Sequence, residues 1–449
     1  MQTHSTRRLH LARPLAIAIA AITSGGAWAD EPSPYYLGVT QAFTHDTNVT
    51  GTVGGGADTY SSTGLTGGLD QLISRQHLYA NANLHYNKYR SNTQLDNTSY
   101  GLAAGWDWAT IEQLSGSFGV SANQNLASQN TTSGLANTAT EKNLAKTDQF
   151  NANVMWGGAG ALGLQGAYAH SRVSYSAASF FTGESSSDSA SAGVSYRLGP
   201  DIRLGTGYRA SRTVSPHSIY TPPVGADPAD PVVSGDPANY TANSVSGRNI
   251  DLTADWTVTP LTGVNARLSW TRQTNAASAS ALDFSGLTGS LSARYAATAK
   301  LSFGASIGRD AGTNASFFNV PPAAPSVPVV PVTPVTPPVA SSPGLTQNTQ
   351  TTDSYSFTAG YAVTAKVSMN ASAGYTHAKV INTTVIGAAT TATESTDVSH
   401  TYSIGVDYAA TRSWQLGCRA GHTSRSLSLP GGGSYGGNTV GCSAQFTLR

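Results

Sequence analysis

The stretch Thr439-Val-Gly-Cys-Ser-Ala-Gln-Phe-Thr-Leu-Arg449 alternates without a break. Val440, Cys442, Ala444, Phe446 and Leu448 are apolar, while Gly441, Ser443, Gln445, Thr447 and Arg449 are small or polar. Successive side chains along a strand point to opposite faces, so this segment reads as a strand with one greasy and one wet side. What lies against the greasy side decides the fold.

Working outward, the same alternation recurs. Leu78, Ala80, Ala82, Leu84 and Tyr86 alternate with His77, Tyr79, Asn81, Asn83 and His85. Tyr100, Leu102, Ala104, Trp106 and Trp108 share a face, as do Phe150, Ala152, Val154 and Trp156, and Ile250, Leu252, Ala254 and Trp256. Tyr35, Leu37, Val39 and Phe43 start the series, and Tyr402, Ile404, Val406 and Tyr408 come late in it. Counted this way there are roughly 18 segments (16–18) of about ten residues, the length and pattern of transmembrane strands. No segment carries a helical period.

The connections alternate in length. Short ones fall at Asp70–Ser74, Ala109–Gln113, Gly157–Ala161, Gly199–Asp201, Val258–Thr262, Ala296–Lys300, Thr364–Lys366 and Ala409–Arg412. Longer ones lie between them: Asp46–Asp58, Ala127–Lys146, Ser174–Asp188, Thr213–Gly247, Ala311–Thr352 and Ala378–Asp397. Short periplasmic turns and long extracellular loops characterise an outer-membrane barrel. Aromatic residues agree. Trp108, Trp156, Tyr196, Trp256, Tyr295, Tyr361, Tyr408 and Trp414 sit near short turns on the apolar face, and Tyr86, Tyr168, Tyr208, Trp270 and Tyr375 sit near the long loops. Two interfacial girdles result. The expected fold is therefore an all-β, transmembrane, antiparallel up-and-down barrel with its greasy side toward outer-membrane lipid. In hydrocarbon an open sheet edge leaves backbone groups unpartnered, so the strands must close, with the last strand beside Tyr35–Thr44.

Composition fits this reading. Only 11% of the residues are charged, against about 25% in typical soluble domains. The net charge of +1 gives no basis for nucleic-acid binding, and 47 residues are Gly. Arg7, Arg8 and Arg13 precede an apolar run, Leu15 to Ile22, followed by Ala27-Trp28-Ala29. That pattern predicts a secretory signal peptide over 1–29 and a single barrel domain over 30–449, in the outer membrane of a Gram-negative cell. The run is too short for a spanning helix. Cys418 and Cys442 fall on the apolar faces of neighbouring strands, as two small hydrophobes or as a cross-strand disulfide. A Pro-rich segment, Pro321–Pro343, makes the loop at about 311–352 an extended extracellular one.

No catalytic constellation stands out, and the chain is not expected to be an enzyme. Gly304-Ala-Ser-Ile-Gly308 matches a nucleophile-elbow pattern, but it lies inside a strand rather than at a strand-to-helix turn. Gly51–Gly56 has no helix after it to receive a phosphate. No HExxH, CxxC or EF-hand spacing occurs, so no metal or cofactor is expected. Chemistry must come from the polar faces, which would line a lumen. They carry His77, Tyr79, His85, Asp107, Asp251, Asp255 and Asp407, with Arg197, Arg203, Arg209, Arg267, Arg294 and Arg419. His77 and His85 stand roughly 26 Å apart along one strand, too far to share a metal. The charges either pair with one another across strands or form a constriction that selects solutes or sugars. Arg203 and Arg209 are expected beside the strand carrying Asp251 and Asp255.

Several stretches resemble a known family, the outer-membrane β-barrel proteins encoded in exopolysaccharide operons, the EpsL type. They are GVTQAFTHDTNV (Gly38–Val49), DTYSSTGLTGGLDQ (Asp58–Gln71), SRQHLYANANLHYNKY (Ser74–Tyr89), SYGLAAGWDWATIEQLSG (Ser99–Gly116) and TDQFNANVMWGG (Thr147–Gly158), with weaker continuation in RVSYS and DFSGLTGSLSARY. The resemblance implies a role in polysaccharide export or surface attachment, with polysaccharide or export machinery as partner. The runner-up is a porin for small hydrophilic solutes. Gly441 and Phe446 resemble the C-terminal signal read by the outer-membrane assembly machinery, although the chain ends Phe-Thr-Leu-Arg rather than on an aromatic residue.

Overall fold

A computed structural model describes residues 33–111, 113–127, 142–157, 160–220, 237–276, 283–314, 345–386, 389–428 and 433–448. The expected signal peptide over 1–29 and the Pro-rich segment Pro321–Pro343 lie outside them. Eighteen antiparallel strands form one sheet. The first nine are β1 (Tyr35–Asp46), β2 (Asp58–Ile73), β3 (Gln76–Tyr89), β4 (Asn97–Ala109), β5 (Leu114–Leu126), β6 (Leu144–Trp156), β7 (Leu162–Tyr175), β8 (Ser185–Leu198) and β9 (Ile202–Tyr220). The others are β10 (Tyr240–Thr259), β11 (Thr262–Asn275), β12 (Phe284–Ala296), β13 (Leu301–Asn314), β14 (Leu345–Ala362), β15 (Val367–Ile386), β16 (Ala389–Ala409), β17 (Trp414–Leu427) and β18 (Ser434–Leu448). Each pairs with its neighbours in sequence, and β18 pairs with β1 from Leu37↔Leu448 to Asp46↔Thr439. The opening stretch is the closing strand of a barrel.

Directly opposed residues in an antiparallel pair share a face, so one assignment propagates around the wall. The outward row holds the large apolar side chains, and they are exposed: Leu65, Leu84, Leu102, Leu252, Ile307, Phe357 and Ile404 among many. Exposed apolar surface on this scale marks a protein whose solvent is lipid. Trp156, Tyr196, Trp256, Tyr295, Tyr361, Tyr408 and Trp414 ring the short-turn end, with Trp108 half-buried among them. Tyr86, Tyr168, Tyr208, Trp270, Tyr355 and Tyr402 ring the other end.

The short turns share a local solution. In three successive hairpins a threonine hydroxyl accepts the backbone N–H groups two and three residues on: Thr298 from Lys300 and Leu301 (3.1 and 2.9 Å), Thr364 from Lys366 and Val367 (3.1 and 3.0 Å), Thr411 from Ser413 and Trp414 (3.2 and 3.0 Å). A hydroxyl that bonds its own backbone sets a tight turn. Lys300 and Lys366 then donate to carbonyls of the next turn, Val363 and Ala410.

Three expected loops are shorter than read from sequence. β9 and β10 reach Tyr220 and back from Tyr240, so much of Thr213–Gly247 is strand; β15 and β16 leave only residues 387–388 between them, so Ala378–Asp397 is almost all strand. The 311–352 loop narrows likewise, because β13 extends to Asn314 and β14 begins at Leu345. Strands run from 12 to 21 residues instead of about ten. The extra length projects past the apolar band, where water wets both faces.

A one-layer wall between lipid and lumen has no room for a core. Among the described residues the few buried apolar side chains instead collect at the long-loop end. Leu95 lies in a 3-10 turn, Thr93–Leu95, that follows β3, and Phe180 and Phe181 lie in a 3-10 helix, Ala178–Gly183, between β7 and β8. Phe180 packs on Tyr175, and Phe181 meets His217 and Tyr240 edge-on at 5.4 and 4.9 Å. Tyr175 is on the lumen row, opposite Ala145, and the helix packs against the long-loop ends of β9 and β10. Asp58 pins the neighbouring turn by accepting from the backbone N–H groups of Ser91 and Asn92.

Candidate functional site

The lumen wall is built from the second row of every strand. The pair register puts the thirteen side chains expected there on the face opposite the exposed apolar row. They do not converge on one point.

The main cluster spans β8 to β11. Arg197 stands opposite Arg203, Arg203 opposite Asp255, and Asp255 opposite Asn265, in one continuous row. Asn265 donates to Asp255 at 2.7 Å. Further up the wall, Arg209 forks onto Asp251, Nε and Nη2 each 3.2 Å from a carboxylate oxygen, and Ser269 donates to the same carboxylate. A two-pronged guanidinium–carboxylate contact fixes direction as well as distance. Asp251 is well shielded, its side chain 14% exposed. Arg267 reaches toward Asp310 on β13 at 3.8 Å. This side of the lumen is thus a ladder of fixed charges with guanidinium groups in excess, as the placement of Arg203 and Arg209 beside β10 leads one to expect.

The remaining members are dispersed. His77 sits between Asp70 (2.8 Å) and Asp107 (3.5 Å) near the short-turn end. His85 lies near the other end beside Ser62. The two histidines stay apart, and no group of three or more metal-ligating side chains forms among the described residues. Asp407 accepts from Asn370 at 3.0 Å. Arg294 and Arg419 border a concavity of about 930 Å³ floored on the lumen side by Ser302, Gly304, Thr358, Gly360, Asn370 and Ser403.

Tyr79 and His85 lie along the wall, and glycines on neighbouring strands make that geometry available. A Cβ on Gly105 would stand 2.2 Å from the Tyr79 ring, and one on Gly64 would stand 2.2 Å from the His85 ring. A side chain laid over a glycine leaves the lumen free instead of crossing it.

A second two-pronged pair, not expected from the sequence, joins Nε and Nη2 of Arg425 to the Asp397 carboxylate on the lumen face near the long-loop end. Its signal is weak, because Asp397 lies where both strand faces are polar. Cys418 and Cys442, directly opposed on the outward face of β17 and β18, form a disulfide with Cα atoms 4.1 Å apart. Ser306 of the elbow-like pattern lies mid-strand against the hydroxyl of Ser356 at 2.7 Å. No turn presents it.

The fold and the wall together define a transmembrane β-barrel with a polar, charge-laddered lumen. No family model matches the chain, and no curated protein matches it. Among solved structures it is similar to a mutant of the ferric enterobactin receptor PfeA from Pseudomonas aeruginosa, at 9% identity and a TM-score of 0.41, covering 93% of this chain and 81% of that one. It is similar to the siderophore receptor PirA from Acinetobacter baumannii at 8% identity and a TM-score of 0.41, over 94% and 81% of the two chains. The FrpB iron transporter from Neisseria meningitidis matches at 8% identity and a TM-score of 0.44, over 92% and 81%.

Proposed function

We propose that this chain is an outer-membrane barrel serving exopolysaccharide export or attachment, with polysaccharide in contact with its lumen wall. The carrying observation is the chemistry of that wall. Hydroxyl and amide side chains fill it (Ser117 with Asn153, Ser306 with Ser356, Ser372 with Ser403), and Tyr79 presents a ring along it. Such surfaces exchange hydrogen bonds with a sugar's hydroxyls at little net cost, because both partners leave water for equivalent partners. The resemblance of the first half to exopolysaccharide-operon barrels supports the same reading. The assembly machinery is the second proposed partner, reading Gly441 and Phe446. In the finished barrel Phe446 packs on Trp414, with ring centroids 5.1 Å apart.

Planar-bilayer conductance tests it. Wild-type protein is expected to conduct, and added exopolysaccharide to reduce the current, less so in Arg203→Ser/Arg209→Ser. A steady current that no polysaccharide reduces would sink this reading.

A second reading, passage of small hydrophilic solutes, is favoured by the guanidinium-rich ladder on β8 to β11. A ring or stripe of one charge sign biases which ions pass. On that reading Asp251→Asn frees Arg209 and shifts the reversal potential toward anion selectivity in a salt gradient.

A further inference from the structure

The outward face carries a feature the lumen does not explain. Tyr208, Ile250 and Trp270 form one row across β9, β10 and β11 and are 49, 57 and 55% exposed. They mark the upper edge of the apolar band. Two residues further along, about 7 Å by the strand rise, the same face carries Arg248 directly opposite Arg272. Arg212 follows two residues beyond Ala210, the partner of Arg248. All three arginines are exposed.

Like charges directly opposed across strands are destabilising. Three other outward-facing cations toward the long-loop end have carboxylates: Lys146 has Asp148 (3.1 Å), Arg309 has Asp353 (3.8 Å) and Lys379 has Glu394 (2.9 Å). Arg248 and Arg272 form no ion pair among the described residues. Arg212 has a carboxylate directly opposite, Asp188, which attracts it but also accepts from Tyr168 (2.7 Å) and His170 (2.8 Å). The wall behind offers only neutral Asn249 and Thr271, both buried.

We infer that Arg212, Arg248 and Arg272 form a binding site for the phosphate headgroup of an anionic lipid in the leaflet at the long-loop end. Guanidinium groups match phosphate oxygens two at a time, and a phosphate between Arg248 and Arg272 turns their repulsion into a bridge. The occupant is a lipid rather than free phosphate because Tyr208, Ile250 and Trp270 continue beneath the arginines as an apolar track for its chains. Aromatic side chains at that depth sit at the headgroup level.

Native mass spectrometry of the intact barrel in dodecylmaltoside micelles, titrated with dioleoyl phosphatidic acid or dioleoyl phosphatidylcholine, tests the site. The wild type is expected to retain phosphatidic acid in preference to phosphatidylcholine. Arg248→Ser/Arg272→Ser should weaken that retention at least about tenfold, roughly 1.4 kcal/mol, and Arg309→Ser should leave it unchanged. Unboiled gel migration verifies folding, and Arg272→Gln alone, which keeps a polar side chain, should show the same direction. Equal retention by wild type and double variant, or no preference between the lipids, overturns the proposal. Displacement of the lipid by an equal concentration of inorganic phosphate overturns the lipid assignment.

Discussion

Ala254 and Ser306 stand near mid-strand on opposite faces of the wall. Ala254 lies between Leu204 and Ala266 on the lipid side, and Ser306 between Ser292 and Ser356 on the lumen side. An arginine at 254 must be solvated by hydrocarbon, which costs about 2–4 kcal/mol at the midplane of a barrel. An arginine at 306 stays in water and should cost less than about 1 kcal/mol, in the range of an exposed substitution. Urea titration of the two variants folded into lipid vesicles measures the difference, and equal stabilities would remove the face assignment. Thr253 is a poorer lumen control, since Arg267 stands opposite it. At this scale the face of each residue is legible in the sequence: the register puts the charged and aromatic residues expected in the lumen on the face opposite the apolar row, because parity along a strand admits only two answers. Pairing was legible in part: strand order puts Arg203 and Arg209 beside Asp251 and Asp255, but not that Asp251 takes Arg209 or that His77 takes Asp70.

A hairpin is the next unit, and β17–β18 is the one with a covalent tie. Cys418 and Cys442 are separated by 24 residues and face lipid. Alternation alone left open whether they were two small hydrophobes or a bridge, since both uses demand the same face. Only register decides, by placing them directly opposite. A bridge closing a loop of this size contributes about 2–4 kcal/mol. Cys418→Ala/Cys442→Ala should therefore lose the heat-resistant gel band at lower temperature than the wild type, and maleimide should label no thiol in the unreduced, denatured wild type. Labelling of two thiols would count against the bridge. Strand ends were the other misreading at this scale. Ala378–Asp397 reads as loop because, beyond the apolar band, both faces meet water and the period of two vanishes from the residue types. In the structure Lys379 and Glu394 pair there across two strands, a contact between residues that sequence order keeps apart.

For the whole molecule the decisive contact is the seam between β1 and β18. Ala42 lies directly opposite Ser443, at the two extremes of the strand order. With the native cysteines replaced, Ala42→Cys/Ser443→Cys should form a disulfide under mild oxidation and give a circular chain with altered migration after boiling. A linear product under oxidation, from protein that keeps its heat-modifiable band, would argue against closure at this register. Closure follows from the solvent, because an edge in hydrocarbon has no partner for its backbone groups. Among the described residues the buried apolar side chains Leu95, Phe180 and Phe181 sit at the long-loop end, where they find something to pack against.

The amino-acid order by itself determined which side chains meet oil and which meet water, the positions of the short turns and the need for a closed wall of about 18 strands. Those properties are local, set by a period of two and by turn chemistry within a few residues. Register, the Cys418–Cys442 bridge, the Arg209–Asp251 fork and the direct opposition of Arg248 and Arg272 were decided only by tertiary structure. Each depends on which residue of one strand stands beside which residue of the next, and cross-strand hydrogen bonding sets that neighbour.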